Sequence, residues 1–152
     1  MADLKLIALD AEDLAVISAH LQDAVLQVGD AAFLPREKRF VVVANRFDWV
    51  EAHKRDDNPE NFARRQTALR FERVLSAKVQ GVDLKNKSEV LALLAIAFEP
   101  MDAPEGDVTL HFANGGAIRL HVECIEAELK DLGPVWQAKS KPRHPDDAAD
   151  AG

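Results

Sequence analysis

Apolar and polar positions along the chain change period several times, and those changes predict the elements. Leu4–Ala8 alternates and reads as a strand. Asp10 then caps a helix through about residue 23, with Asp13 three positions on and Leu14, Ile17, Leu21 and Val25 forming one apolar stripe. Gly29-Asp30 marks a turn or bulge within 25–34, and 35–38 reads as a hairpin loop. The β-branched run from Phe40 to Ala44 predicts a strand that continues to Phe47 or Trp49. From Thr67 to Val79 the chain alternates again, with Leu69, Phe71, Leu75, Ala77 and Val79 in one phase, and reads as one strand bent near its middle.

Residues 88–99 satisfy both a helix capped by Ser88 and a buried strand, and Leu94, Ile96 and Phe98 favour the strand. Two alternating runs, Val108-x-Leu110-x-Phe112 and Ile118-x-Leu120-x-Val122, flank Asn114-Gly115-Gly116. Opposed residues must share a face, so parity selects a three-residue loop over 114–116. That loop pairs Phe112 with Ile118 and places a glycine in the left-handed region. Residues 125–132 read as a short helix stopped by Gly133-Pro134. The pattern thus predicts one globular domain over 1–136 and a disordered polar tail over 137–152. Its class is α+β: a strongly bent antiparallel sheet or partly open barrel, pleckstrin-homology-like by analogy, with an N-terminal helix and a short C-terminal one.

Composition narrows the function classes. Of 152 residues 47% are apolar, with no run long enough to span a bilayer. A basic start and cleavage site are lacking as well, so the expectation is a cytoplasmic protein with no membrane partner. The single cysteine, Cys124, rules out an internal disulfide and a cysteine-rich zinc site. A net charge of −7 argues against non-specific nucleic-acid binding. The charge is uneven, however: residues 35–73 carry ten Lys/Arg against seven Asp/Glu. Neither phosphate-cradling glycine loops nor zinc-protease or nucleophile-elbow motifs occur, and no cofactor is expected.

Three sets of residues carry candidate chemistry. Arg73 falls in the apolar phase between Phe71 and Leu75, and Arg46 falls in phase with Phe40, Val42 and Ala44. A buried arginine must be paired or must reach solvent. With Arg64, Arg65 and Arg70 these side chains would line an anion pocket or meet an acidic partner, Trp49 and Phe62 giving an apolar wall. The competing reading turns Arg73 outward at a bulge and gives the arginines ordinary salt bridges. His111 and His121 become diagonal neighbours in the predicted hairpin, and with Glu123 form a weak candidate metal set, the alternative being a solvated polar face. Cys124 follows the strand, either as a thiol at a helix start or as a small residue packed at the junction.

Several blocks, taken together, resemble the proteobacterial domain-of-unknown-function family numbered 2948. They are Asp3–Leu14, Arg39-Phe40 through Asn45–Trp49, Leu69–Val74, Ile118–Glu126 and Asp131–Gly133. The resemblance covers nearly all of the chain to about residue 136. It implies a stand-alone bacterial cytoplasmic protein and transfers no activity, cofactor or functional residue. The reading that follows is a non-catalytic module binding a protein partner or a small anionic ligand. The alternatives are an unfamiliar enzyme using the His/Glu/Cys face of 108–124, and a structural subunit of a homo-oligomer.

Overall fold

The computed structural model describes residues 3–48 and 64–134. Ten strands and one α-helix are present among them, besides short 3-10 turns: β1 Lys5–Ala8, α1 Ala11–His20, β2 Val25–Gln27, β3 Ala31–Leu34, β4 Arg39–Phe47, β5 Arg64–Phe71, β6 Val74–Gln80, β7 Val90–Pro100, β8 Gly106–Phe112, β9 Ala117–Val122 and β10 Ala127–Pro134. All pairings are antiparallel, in the order β1-β10-β5-β4-β2-β7-β8-β9-β6, with β3 on β4 beside β2. The sheet is curled and open, since β1 and β6 end the order without meeting. Its concave side holds a single core that includes Leu69, Phe71, Leu93, Phe112, Leu120 and Leu129.

Local chemistry explains the helix. The Asp10 carboxylate accepts the Asp13 N–H at 2.8 Å, satisfying one free donor of the first turn. Leu14 and Ile17 are fully buried, and a Leu- or Ile-to-Ala change at such sites costs about 2–5 kcal/mol. The helix stops at His20, because Asp23 takes a left-handed φ of 68° and the chain turns onto β7. There Asp23 N–H donates to Leu93 O, and Leu93 N–H to Ala24 O, both at 2.8 Å. Ser18 Oγ accepts the Ile96 N–H at 2.9 Å and fixes the same helix to β7.

The expected strand over 88–99 forms as β7. Other expectations are corrected. The predicted helix over 125–132 is strand β10. Its residues alternate Ala127, Leu129 and Asp131 inward with Glu128 and Lys130 outward, and it lies between β5 and β1. Pairing on both edges outweighs the helical preference of Glu, Leu and Lys. Among the described residues no helix follows β10, so the pleckstrin-homology analogy gains no support, while the open, bent antiparallel sheet itself is present. The single bent strand over 67–79 is instead two strands, β5 beginning at Arg64, with the break at Glu72-Arg73. Arg73 has a positive φ of 64°, and a bulge at Leu75 shifts the phase again. Val74 is therefore buried and Leu75 exposed.

The β8–β9 loop shows the limit of a parity argument. Pairing is Leu110 with Ile118 and Val108 with Leu120, so the three-residue loop is 113–115, one position earlier than expected. Asn114 and Gly115 both adopt left-handed φ values, 70° and 85°. A two-residue shift in register keeps every side chain on its face, so the hydrophobic pattern alone does not distinguish the two. Gly106 now opposes Val122, and its missing side chain admits the Phe98 ring, 2.6 Å from where a Cβ would stand.

Candidate functional site

The arginines singled out from sequence occupy two environments. Along the inner faces of β4, β5 and β10, hydrophobic residues give way at one end to Arg46, Arg65, Thr67 and Asp131, all buried. Arg46 grips Asp131 with two bonds, Nε to Oδ1 at 2.9 Å and Nη2 to Oδ2 at 2.7 Å. Leu4 N–H also donates to Asp131, at 2.8 Å. Burial opposes the charge on Asp131, but the Arg46 bonds and the Leu4 amide outweigh it and hold the carboxyl below its ordinary range. Arg65 pairs with Asp48 and with Asp3, each at 3.0 Å. His20, at the end of α1, borders this layer, and burial followed by the Arg46 charge lowers its pKa.

Outside, Arg70 ion-pairs with Glu72 and Glu128, and Arg73 with Glu126 and Glu123. Arg64 lies over the Phe47 ring, 5.6 Å from its centroid, and donates to the Asn45 and Asp23 carbonyls. The structure therefore gives Arg46, Arg65, Arg70 and Arg73 carboxylate partners within the chain instead of gathering them round one pocket. Arg73 is turned outward, as the competing reading had it. Trp49 and Phe62 lie outside the described residues, as do the tail over 137–152 and most of the 50–66 connection.

The hairpin residues are not brought together either. The register shift sets His111 against Ala117 and His121 against Asp107, two same-face rows apart. His121 is held between Asp107, 2.9 Å from Nδ1, and Glu105 at Nε2. The Asp107 bond and then the Glu105 bond raise the His121 pKa. Glu123 points to Lys38 and Arg73. Cys124 is half-buried in the turn between β9 and β10, not at a helix start. Among the described residues no group of three or more His, Cys, Asp or Glu is placed to hold a metal.

The basic surface missed in sequence lies on the outer face of β6, β9, β8 and β7. Lys78 is directly opposite Arg119, which is opposite Thr109, which is opposite Ala97. The neighbouring row is Gln80, Ala117, His111 and Ala95. Small residues at the centre leave a trough of about 650 Å³ with Lys78, Arg119 and His111 along it and Glu99 at one side. Lys78, Arg119 and His111 are exposed and make no ion pair within the described residues. The available sequence signal was the alternation Lys78, Gln80 and Arg119, His111 on polar phases. The pairing of β6 with β9 that joins them was not readable.

The fold is an open, curled antiparallel α+β sheet. The chain belongs to the family described as "Protein of unknown function (DUF2948)", whose model matches residues 4–144. No curated protein and no solved structure matches it. No helix among the described residues is long and apolar enough to cross a membrane.

Proposed function

We propose that this protein is a non-catalytic binding module that receives an anionic ligand in the outer trough of β6, β9, β8 and β7. One observation carries the reading: Lys78 and Arg119 face each other across a strand pair with no carboxylate partner among the described residues, in a chain of net charge −7. Like charges directly opposite in a sheet destabilise it. Elsewhere in this chain Arg39, Arg46, Arg65, Arg70 and Arg73 each have a carboxylate. Two cations left uncompensated beside alanines leave room for an anion, and His111 adds a donor. Arg provides a planar fork and Lys a mobile point charge, a combination suited to phosphate or carboxylate oxygens.

Titration with pyrophosphate, followed by amide shifts of residues 78, 97, 109, 117 and 119, tests the reading. Shifts confined to the trough are expected in the wild type. The double variant Lys78→Glu, Arg119→Glu abolishes them, while Arg73→Glu leaves them unchanged. Shifts that follow Arg73, or an unresponsive trough, overturn the reading in favour of the ion-paired arginines or of another ligand class.

A further inference from the structure

The open seam of the sheet forms a second cavity, which shares only Val79 with the lining of the outer trough. Strands β3 and β6 each have one edge without a strand partner among the described residues. At one end Val74 N–H donates to Lys38 O at 2.9 Å and ties β6 to the β3–β4 turn. At the other end the 82–87 loop is fixed by Gly29 N–H to Lys87 O and Val28 N–H to Glu89 O, both 2.9 Å. Between these ties the two strands do not meet. Phe33 from β3, Ala77 and Val79 from β6, and Val82 and Leu84 from the loop surround a slot of about 270 Å³. Phe40 and Ile118 connect it to the core.

Two features of the slot point to an occupant. Its mouth is apolar yet wet, with Leu84 54% and Val79 36% exposed, although such side chains favour burial. Every lining residue but one is apolar. The exception is the exposed Lys87, whose ammonium has no carboxylate partner among the described residues. The neighbouring Asp83 carboxylate accepts the Lys85 N–H at 3.1 Å. The volume lies just below the roughly 300–1,000 Å³ of drug-sized sites and is too small for a helix or strand of a partner.

We propose that the β3–β6 slot binds a small amphiphilic carboxylate, its aliphatic tail between Phe33 and Val79 and its carboxylate on Lys87. Tail burial supplies most of the attraction, and the charge-assisted bond to Lys87 sets orientation and selects an acid over an alcohol. Octanoate and 1-octanol, which share a tail length, separate the two contributions. Calorimetry and amide shifts on the intact chain are expected to show octanoate at residues 31, 33, 77, 82 and 87. Lys87→Met weakens octanoate about tenfold and leaves octanol within about twofold, the loss of one charged hydrogen bond. Ala77→Leu fills the slot and removes both. Should that variant fail to fold, the exposed Lys87→Met keeps the test. Absence of octanoate shifts in the slot, or an equal effect of Lys87→Met on acid and alcohol, overturns the proposal. The outer-trough variant Lys78→Glu, Arg119→Glu leaves octanoate binding intact, so the two sites fail independently.

Discussion

Two sets of basic side chains sit on this sheet in opposite circumstances. Inside, Arg46 and Arg65 are buried against Asp131 and Asp48 at the polar end of β4, β5 and β10. Outside, Lys78 and Arg119 stand side by side on β6 and β9 with no carboxylate partner among the described residues. A buried guanidinium must be neutralised where it lies, because losing water costs several kcal/mol per ion. An exposed one keeps its hydration and needs no such partner. Cationic charge in a sequence therefore does not by itself tell a buried, neutralised side chain from an exposed one; the fold decides which it is.

The largest expected effect comes from breaking the inner pair. Asp131→Ala removes the two-bonded partner of the buried Arg46, leaving only the more distant Asp48 and Asp3 charges, and should lower stability by about 3–5 kcal/mol in urea unfolding. The double change Arg46→Met, Asp131→Leu should recover most of that loss, since apolar replacement of a buried pair is often neutral. If the double variant is as unstable as the single one, the pair is needed for the fold itself.

pH separates the two regions next. The Asp131 pKa is lowered on folding, so its contribution is present above about pH 3.9, the ordinary carboxyl value, and is lost as pH falls through the folded value. His121, in the outer row beside the trough, has a raised pKa, so its contribution is full below about pH 6.5 and lost as pH rises through the folded value. Stability of His121→Asn relative to wild type should thus show a deficit near pH 6 that disappears in alkali. A deficit that is constant with pH would remove the Asp107–His121–Glu105 clamp from the picture. The smallest effect belongs to the trough: Arg119→Glu turns a like-charge pair into an opposite one and should stabilise by about 0.2–1 kcal/mol, while losing pyrophosphate. Destabilisation would mean that Arg119 is already compensated.

How much of this was readable in the sequence follows from which forces are local. Asp10 and the Leu14–Ile17–Leu21 stripe contain their own helix, which starts where expected but ends at His20, so that Val25 joins β2 instead of its stripe. Arg46 in phase with Phe40, Val42 and Ala44 announced a buried arginine that must be paired, and it is. Its partner was hidden, because Asp131 interrupts the apolar alternation of Ala127 and Leu129 and made β10 look like a helix. A buried Asp is read as a surface residue until the arginine opposite it is known, and these two are 85 positions apart. His111 and His121 failed as a pair for a subtler reason, since the loop settled one residue earlier on Asn114.

By itself the sequence determined period and face: which residues alternate, where α1 begins, that parity must be kept across the β8–β9 loop, and that the chain is acidic with basic charge concentrated in 35–73. Those are properties of neighbours in the chain, governed by backbone geometry and hydration. Only the tertiary structure decided which face met which. It made β10 a strand by offering it two edges, gave Arg46 its Asp131, put Lys78 beside Arg119, and left the seam between β3 and β6 open. Each of these depends on contacts between distant segments, whose energies exceed local propensity but leave no periodic trace in the chain.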